Sequence, residues 1–508
     1  MMANMKFTLT TPIYYINDKP HIGHAYTTIV ADIVARYHRL KGEEVFFLTG
    51  TDENSQKNID AAETLGKGDC IQEYLDEQSA VWRWTWENLG ITNDDFIRTT
   101  ESRHIAGVEK FFNAVYEKGD IYKGTYRGSY CAGCEAFVNE SDLVDGLCPL
   151  HKKKPDVIEE ENYFFSASKY RDALLEHIEK HPEFVQPQSR RNEIIQYIQN
   201  HFGDISISRQ SLKWGIPLPI DKTHVVYVWF DALINYLTGV GYGTDDEMFK
   251  KYWPAELHLV GKDIIKFHCA LWPAMLMSAG LPLPKQVFAH GFFTIDGDKI
   301  SKSLGNTIDP IKIVNQYGRD PLRYFLVREI PFGSDGDFSF SRLKERYTSD
   351  LAKGLGNFVS RVIALAAKER GEKTAEHNPD EDEVKKLTSI TWDTWGRALE
   401  QYEFGEALDA IWRLMSWGDA YIEKTKPWAL VKEDRVRYAQ VINLLLELVR
   451  HTSLLIQPFL PETTIKITEQ LVVAPHVKTL SFEKKKEWCN DAVVSVKRGT
   501  VLFPLLEL

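Results

Sequence analysis

The sequence contains few cysteines, no long apolar run and no excess of basic residues. Six cysteines among 508 residues are too few for the dense disulfide framework of small secreted proteins. No stretch approaches the roughly 20 apolar residues of a membrane-spanning helix. The N-terminus resembles neither a secretory signal nor an Arg-rich transit peptide. We therefore expect a cytoplasmic protein that does not enter a membrane.

The charge balance and one missing motif narrow the chemistry further. A formal net charge of −11 argues against a protein coated in basic residues, although it allows a local basic groove for nucleic acid. The sequence has no Gly-x-x-x-x-Gly-Lys-Ser/Thr loop, so a P-loop is not its site for a nucleoside triphosphate. The length predicts about three or four domains, and 44% hydrophobic with 26% charged residues is ordinary globular composition.

The first fifty residues alternate between strand-like and helical patterns. Phe7–Thr11 predicts a buried strand that Pro12 ends, and apolar residues at helical spacing from Gly23 predict a helix. Glu44–Leu48 predicts a second strand that ends at Gly50. This alternation is typical of a parallel sheet covered by helices, in which ligands bind at the carboxyl ends of the strands.

Two polar motifs suit such a ligand site. His21-Ile22-Gly23-His24 lies where the first strand gives way to the helix. Its glycine allows a ligand to approach the backbone, and its imidazoles can donate hydrogen bonds to a phosphate near the helix N-terminus. Lys299-Ile300-Ser301-Lys302-Ser303, on a loop with glycines on both sides, suits a mobile clamp on phosphates. Together the motifs predict a divided site that holds a nucleoside triphosphate from two sides.

The rest of the chain changes character twice. Residues 117–221 hold the cysteine cluster and many turn residues, and we interpret them as an insertion. Strand-like runs return at Val225–Phe230 and Leu257–Val260, and Trp272–Ser278 is predicted to be helical. After about residue 345 the apolar residues keep helical spacing, which predicts an α-helical bundle.

The cysteine cluster has the spacing of a zinc site. Cys131-x-x-Cys134 is followed, after thirteen residues, by Cys148-x-x-His151. Three thiolates and one imidazole suit a closed tetrahedral site, which predicts one structural zinc ion per chain. The remaining cysteines lack this spacing and are predicted to be packing residues: Cys70, Cys269 and Cys489.

The two polar motifs resemble the HIGH and KMSKS signatures of class I aminoacyl-tRNA synthetases, with Ile300 in place of the usual methionine. Several further segments resemble methionyl-tRNA synthetases in particular: Thr11–Tyr15, Leu48–Glu53, Tyr227–Leu233, Gly261–Asp263 and His290–Phe292. The resemblance covers nearly the whole chain. It implies that methionine and ATP form methionyl-adenylate, with Mg²⁺ accompanying ATP. The methionyl group then passes to the 3′ end of methionine tRNA, both initiator and elongator.

The resemblance also implies roles for individual residues. The expected catalytic residues, which contact the phosphates, are His21, His24, Lys299 and Lys302. The expected ATP-binding set adds Gly23, Ser301 and Ser303. A methionine substrate needs a carboxylate for its ammonium group, and Asp52 matches that position. It also needs an apolar slot, whose matching positions are Ile13, Tyr15, Trp229, Leu233, Tyr236, Ile264 and His268.

The helical region carries the residues that match an anticodon reader. Asn357 and Arg361 lie four residues apart on one predicted helix face, and Trp428 follows later in the chain. In the family, matching residues bind the CAU anticodon by hydrogen bonding and stacking, which exposed bases allow. Without the resemblance, a salt-bridged helix and a buried tryptophan would be the simpler interpretation.

The expected fold is α/β, a Rossmann-like catalytic domain with a zinc-knuckle connective insertion, followed by an α-helical anticodon-binding bundle. The expected boundaries are 1–116 and 222–290 for the two catalytic halves, 117–221 for the insertion, 291–345 for the KMSKS-loop and stem-contact region, and 346–508 for the anticodon-binding domain. Because the chain ends soon after the bundle, we expect no appended dimerisation module and predict a monomer.

Two positions depart from the family pattern. Leu271 stands where many members carry an aromatic residue, which predicts a reshaped pocket wall. Asn54-Ser55 replaces the usual His-Gly pair, which leaves the backbone geometry near Asp52 open.

Three other functions stay open at this point. One is a class I synthetase for leucine, valine, isoleucine or cysteine, although the insertion is too short for a separate editing domain as well as the knuckle. The second is a small-molecule nucleotidylyltransferase, and the third is a non-catalytic tRNA-binding relative.

Overall fold

The computed structural model describes residues 5–131, 136–138, 143–149, 152–295, 298–299, 307–368, 378–489 and 492–506. The chain divides into two compact units. The sheet unit comprises Met5–Ala31 and Val45–His290, and the helical unit comprises Asp32–Glu44 and Gly291 onward.

Strands and helices alternate through the sheet unit. Its strands are β1 (Lys6–Tyr15), β2 (Glu44–Asp52), β3 (Asp95–Arg98), β4 (Ile121–Cys131), β5 (Ala136–Val138), β6 (Asp156–Phe165), β7 (Val185–Gln186), β8 (Ile205–Ser206), β9 (Ser208–Arg209), β10 (Pro217–Leu218), β11 (Asp221–Val226), β12 (Leu257–Gly261) and β13 (Val287–His290). Its first helix, α1 (Ile22–Leu40), continues beyond Ala31 and so ends in the helical unit. Its other helices are α2 (Gln56–Thr64), α3 (Ile71–Asn88), α4 (Ser102–Glu117), α5 (Arg171–Lys180), α6 (Gln188–His201), α7 (Val228–Leu233), α8 (Asn235–Thr238), α9 (Asp246–Tyr252) and α10 (Trp272–Ala279). A π-helical turn, Phe267–Leu271, leads directly into α10.

The central sheet has the strand order β3-β2-β1-β12-β13-β7. The β2–β3, β1–β12, β12–β13 and β13–β7 pairs are parallel, which confirms the predicted parallel-sheet fold. Leu9 of β1 lies opposite Leu257 of β12, so strands far apart in sequence form the middle of the sheet. Parallel strands of this kind are buried on both faces, and their carboxyl ends gather polar residues at one edge.

Two predictions about strands were wrong. β1 does not end at Pro12 but continues to Tyr15. Its described pairs with β12 lie at Leu9 and Thr10, before the proline, so the missing N–H breaks no bond of that ladder. Only the start of the strand-like run Val225–Phe230 is a strand, because β11 ends at Val226 and the second half of the run belongs to α7. A short apolar run does not distinguish a buried strand from a buried helix.

The region predicted as an insertion is structurally mixed. β4 and β6 form a long antiparallel pair within a sheet of order β5-β4-β6-β8. β7, however, pairs with β13 and lies at the edge of the parallel sheet. Part of the range 117–221 therefore belongs to the central sheet. The boundaries of the insertion at residues 117 and 221 stay a prediction.

The helical unit contains α11 (Pro310–Tyr317), α12 (Arg319–Arg328), α13 (Phe340–Arg346), α14 (Asn357–Lys368), α15 (Glu381–Glu400), α16 (Phe404–Thr425), α17 (Pro427–Glu433), α18 (Arg435–Ile456), α19 (Pro461–Gln470), α20 (Pro475–Lys478) and α21 (Phe482–Lys485). Its short strands are β14 (Phe293–Ile295), β15 (Asp298–Lys299), β16 (Gly336–Phe338), β17 (Leu471–Val473) and β18 (Val493–Val496). The predicted change to a helical pattern in the last third of the chain is confirmed.

α18 is the central helix of this unit. It is long and apolar enough to cross a membrane, but 89% of the relevant window is buried inside the protein. It also carries a buried ion pair, in which the Arg450 guanidinium donates to the Glu447 carboxylate at 2.6 and 2.8 Å. Trp392 of α15 donates to His451 at 3.0 Å. The burial and these contacts identify α18 as a core helix, in which Glu447 and Arg450 pair with each other and His451 bonds a neighbouring helix.

Candidate active site

The two histidines of the first motif are held in one arrangement by the start of α1. The His21 backbone N–H donates to His24 Nδ1 at 3.2 Å, and the Gly23 N–H donates to His21 Nδ1 at 3.1 Å. The rings stack with centroids 3.7 Å apart. Because both Nδ1 atoms accept hydrogen bonds, each neutral ring carries its proton on Nε2 and can donate it to a ligand.

Gly23 is required by this arrangement. A Cβ atom added there would lie 3.0 Å from His21 Cε1 and 3.2 Å from its Nδ1, closer than side-chain carbons normally pack. The Gly23 N–H donates to the His21 ring, so in this arrangement it is not available to an anion. The imidazole N–H groups remain the predicted donors to a phosphate.

Asp52 lies at the carboxyl end of β2 and is 3% exposed. Its carbonyl accepts a hydrogen bond from the Asn58 side chain at 2.8 Å, and its Oδ1 accepts from the Asn54 backbone N–H at 3.3 Å. Ser55, which replaces the glycine of the family pattern, has φ −100° and caps α2 by accepting from the Asn58 N–H at 3.3 Å. The backbone at Ser55 is extended and needs no glycine, and the serine side chain adds a helix cap directly after Asp52.

The aromatic wall of the predicted methionine pocket is formed by α7 and the π-helical turn. The Trp229 indole stacks on Phe267 with centroids 3.8 Å apart and planes 5° apart. The same indole meets His268 edge-on, with centroids 6.5 Å apart. Leu233, one helical turn after Trp229, is 2% exposed. Trp229 and His268 are thus in contact, and Leu233 lies in the core against which Trp229 packs; their role in binding a thioether stays a prediction.

His268 is fixed as a neutral imidazole. Its Nδ1–H donates to the Ile264 carbonyl at 3.0 Å, and the Tyr236 hydroxyl donates to its Nε2 at 2.8 Å. Burial lowers the pKa of His268 to about 4, against a smaller opposing effect of the bond to Ile264. The pKa of Tyr236 is raised, mainly by burial. The pair therefore adds no charge to the pocket at neutral pH.

Of the remaining predicted pocket residues, Ile13 and Tyr15 lie on β1, and Ile264 ends a short helical turn, Lys262–Ile264. Ile13 packs against the hydrophobic core of the sheet unit. The Tyr15 ring lies under the Lys57 ammonium group, 4.4 Å from its centroid. Leu271, the second departure from the family pattern, is 1% exposed and is part of the same core.

The second motif lies largely outside the described residues. β15 pairs with β14 through Thr294 and Lys299, which places the Lys299 backbone at the end of a hairpin. The rest of the predicted phosphate clamp, Ser301, Lys302 and Ser303, is outside the part of the chain that the structure describes.

Two of the four predicted zinc ligands are described. Cys131, the last residue of β4, is 3% exposed, and Cys148 is 1% exposed. The Cys148 N–H donates to the Lys153 carbonyl at 2.9 Å. Val144, four residues before Cys148, is 56% exposed. Buried thiols close to exposed residues fit a metal site.

The other two predicted ligands, Cys134 and His151, lie outside the described residues. No group of three or more metal-ligating side chains occurs within the residues that the structure does describe.

Family models match two parts of the chain. The model for class I tRNA synthetases of the methionine type matches residues 7–154 and 138–363. The model for the anticodon-binding domain of methionyl-tRNA ligase matches residues 372–499.

Individual relatives and solved structures agree with these matches. Methionine–tRNA ligase of Thermotoga maritima is 48% identical over 95% of this chain and 76% of its own length. The enzyme of Streptomyces coelicolor is 41% identical over 99% of this chain and 97% of its own. The structure of Mycobacterium tuberculosis methionyl-tRNA synthetase in complex with methionyl-adenylate superposes with a TM-score of 0.94 at 38% identity, covering 99% and 100% of the two chains.

The chain belongs to the methionyl-tRNA synthetase family. The resemblance inferred from the HIGH and KMSKS motifs is thereby confirmed, and so is the α/β fold with its helical C-terminal region. The other class I specificities and the nucleotidylyltransferases are excluded as families.

The anticodon residues predicted for a methionyl-tRNA synthetase lie in the helical unit. Asn357 begins α14 and is exposed, and Arg361 lies one turn later. Arg361 donates to Asp419 at 3.1 Å and to Glu423 at 2.5 Å, both on α16. Trp428, on α17, is 48% exposed. The simpler interpretation of a buried tryptophan is therefore wrong, whereas that of a salt-bridged helix agrees with the contacts of Arg361.

The sequence did not predict one pair of buried residues beside the candidate methionine pocket. Asp231 and His104 are both fully buried, and the His104 Nε2–H donates to Asp231 Oδ1 at 2.7 Å. The signal for Asp231 was its place in the Tyr227–Leu233 segment, between two pocket residues. His104 gave no local signal, because the pattern of α4 is that of an ordinary amphipathic helix.

Proposed function

We propose that this chain activates methionine with ATP and then esterifies methionine tRNA. The observation that carries the proposal is a buried carboxylate, Asp52, in the same unit as an apolar wall of Trp229 and a neutral His268. An α-amino acid with an apolar side chain needs this combination, because its ammonium group requires a charged partner and its side chain requires a dry surface.

In the first step, a carboxylate oxygen of methionine attacks the α-phosphorus of ATP, and the bond to the bridging oxygen of pyrophosphate breaks. Asp52 holds the ammonium group so that the carboxylate is oriented for attack. His21 and His24 donate their Nε2–H groups to the phosphate oxygens as charge develops. Lys299 and Lys302, with Ser301 and Ser303, bind the leaving pyrophosphate. Mg²⁺ accompanies ATP and neutralises part of its charge.

In the second step, the terminal ribose hydroxyl of the tRNA attacks the carbonyl carbon of the adenylate, and AMP leaves. Placing the hydroxyl next to this carbonyl supplies much of the acceleration, because it replaces an encounter of two molecules by a reaction within one complex. The ligase therefore requires both a tRNA bound in register and a closed adenylate pocket.

Selection of methionine rests on shape and on the hydrogen-bonding state of His268. An apolar pocket separates substrates that differ by one methylene by only about 1–3 kcal/mol. Tyr236 and Ile264 already occupy both ring nitrogens of His268. The imidazole therefore offers a polarisable, uncharged surface to the thioether, and polar side chains of similar size find no strong partner there.

The helical unit is proposed to read the CAU anticodon through Asn357, Arg361 and Trp428. Trp428 supports this role because an exposed indole offers a face for base stacking. Arg361 exchanges its carboxylate partners for bases or phosphates when RNA binds. The initiator and elongator tRNAs share this anticodon, so we expect the enzyme to accept both.

Cys131, Cys134, Cys148 and His151 are proposed to hold one structural zinc ion. The burial of Cys131 and Cys148 supports it, and with four protein ligands such an ion supplies folding energy to the insertion, not catalysis. A monomeric state, a cytoplasmic location and the domain boundaries given above remain predictions.

The central experiment is amino-acid-dependent exchange of labelled pyrophosphate into ATP, run separately with each of the twenty amino acids. Methionine is expected to support exchange far above the others. A preference for leucine, valine, isoleucine or cysteine would contradict the proposal. Exchange that does not depend on any amino acid would instead support a nucleotidylyltransferase.

The clamp is tested by Lys302→Ala. Losing a charge-assisted contact to the transition state is expected to slow adenylate formation roughly a hundredfold, with little change in methionine affinity. Adenylate formation at the wild-type rate would remove Lys302 from the mechanism.

The zinc site is tested by Cys131→Ser, with Cys269→Ser as the control. Cys269 is fully buried in the core of the sheet unit, away from the cysteine cluster in sequence. The first variant is expected to lose zinc in elemental analysis, whereas the control keeps it. Full zinc content in Cys131→Ser would reject the assignment.

A further inference from the structure

Asn54 connects the turn after Asp52 to a helix of the methionine pocket. Its side-chain amide donates to Asp231 Oδ2 at 2.7 Å and to the Thr99 carbonyl at 3.3 Å. Its backbone N–H donates to Asp52 Oδ1 at 3.3 Å. Asn54 is 6% exposed, and both hydrogens of its amide group have acceptors. The side chain is therefore held in a single orientation.

Asp231 completes this connection from the other side. The carboxylate is fully buried on α7, between Trp229 and Leu233 in sequence. One of its oxygens accepts from Asn54, and the other accepts from His104. The second His104 nitrogen, Nδ1, lies 2.9 Å from Thr238 Oγ1 of α8. A buried carboxylate is tolerated only when both of its oxygens accept hydrogen bonds. Asn54, Asp231 and His104 therefore form a hydrogen-bonded network in which each residue depends on the others.

We propose that Asn54 is a positioning residue for the methionine subsite. The hydrogen bond from its side-chain amide to Asp231 sets the distance between Asp52 and the Trp229 wall. The proposal rests on the proposed function, in which Asp52 holds the methionine ammonium group. Asn54 acts through Asp52 and does not contact the substrate itself.

The chemistry of this position discriminates closely related side chains. Aspartate has the size of asparagine but no amide hydrogen, so Asn54→Asp would place two carboxylates against each other in a buried site. Repulsion there would move the turn, and Asp52 with it. In the double variant Asn54→Asp with Asp231→Asn, the new amide donates to the new carboxylate, and its oxygen still accepts from His104. The exchanged pair has the same composition and restores the hydrogen bond between positions 54 and 231, while the bond from position 54 to the Thr99 carbonyl stays lost.

The experiment measures methionine and ATP dependence of pyrophosphate exchange in the full chain. Asn54→Asp is expected to raise the methionine KM roughly tenfold or more, with the ATP KM changed by less than about twofold. The double variant is expected to recover most of the methionine KM. Asn378→Asp is the matched control, because it converts another buried asparagine, 5% exposed in the helical unit, and should leave both KM values unchanged.

Three outcomes would overturn the positioning role. One is a methionine KM within twofold of the wild type in folded Asn54→Asp protein. Another is an equal rise of both KM values, which would indicate general damage to the unit. The third is a double variant that regains the wild-type melting temperature but not the methionine KM. If the wild-type chain itself shows no methionine-dependent exchange, the proposed function fails instead, so the two failures are distinguishable.

Discussion

The methionine pocket and the candidate anticodon surface handle polar groups in opposite ways. Asp231, His104 and Asp52 are 0 to 3% exposed, and a hydrogen bond between Asp231 and His104 fixes both of these side chains. Trp428, by contrast, is 48% exposed, and Arg361 is paired with Asp419 and Glu423, whose side chains are 37% and 64% exposed. The pocket is organised before its ligand arrives, whereas the surface keeps its groups accessible.

The difference follows from the size of the ligands. A small amino acid is recognised by a few groups, so each must be correctly placed and shielded from water. Anticodon bases are large and must stack on side chains that are already reachable. Substitutions in the pocket should therefore have large effects on one substrate, and substitutions on the surface should have smaller effects on tRNA alone.

The largest effect is expected for Asp52→Asn. Removing one partner of a buried, hydrogen-bonded charge pair costs about 2–5 kcal/mol, so the methionine KM in pyrophosphate exchange should rise a hundredfold or more. Asp172→Asn, which changes an exposed carboxylate on α5, is the control and should behave as the wild type. A methionine KM within twofold of the wild type in Asp52→Asn would contradict the claim that the pocket depends on single, correctly placed groups.

The next effect concerns pH and stability. Burial lowers the pKa of His268 from 6.5 to about 4, so between these values the unfolded chain binds a proton that the folded chain does not. The contribution of His268 to the free energy of unfolding is therefore fully present above pH 6.5. It decreases by about 3 kcal/mol as the pH falls toward 4. Urea unfolding at a series of pH values measures this slope.

His268→Gln should reduce the slope of the free energy of unfolding against pH below pH 6.5. Equal slopes in wild type and His268→Gln would show that this imidazole is not a buried neutral group.

A smaller effect is expected for Trp428→Ala. Stacking of one base on an aromatic side chain contributes about 1–3 kcal/mol, so aminoacylation at limiting tRNA should fall roughly tenfold. Pyrophosphate exchange should stay at the wild-type level. Trp84→Ala removes an indole of similar exposure, 50%, from α3 of the sheet unit and serves as the control. A parallel loss of both activities in Trp428→Ala would assign that residue to folding.

The smallest effect is the change in stability expected for Arg361→Ala. Surface ion pairs contribute about 0–1 kcal/mol, so the free energy of unfolding should fall by less than about 1 kcal/mol, while aminoacylation at limiting tRNA declines. Arg397→Ala breaks another surface pair, with Glu406, and provides the reference for stability. A loss well above that of the reference, without any effect on tRNA, would make Arg361 a structural residue.

Local patterns predicted the elements that carry the site. Gly23 and the apolar spacing after it placed the start of α1, and the end of a strand-like run placed Asp52 at the carboxyl edge of the sheet. These signals are local, since they depend on helix periodicity, glycine and strand composition. The full length of β1 and the helical state of Val228–Leu233 were missed, because packing decides both.

The walls of the pocket could not be predicted from periodicity. Trp229 and Phe267 stack although they belong to different elements, and His104 meets Asp231 across 127 residues of sequence. Neither residue of the second pair stands out in its own helix. Only the resemblance to the family pointed to the pocket residues, and it did not identify the hydrogen bonds that support them.

The central sheet also has a consequence for synthesis of the protein on the ribosome. β1 pairs with β12, and the side chains of Thr10 and His258 in these strands are 248 residues apart. At a translation rate of about 5–20 residues per second, β1 waits roughly 12 to 50 seconds for that neighbour. During this interval one long edge of β1 lies open. The nascent chain therefore has a period of exposure to aggregation that the finished enzyme does not have.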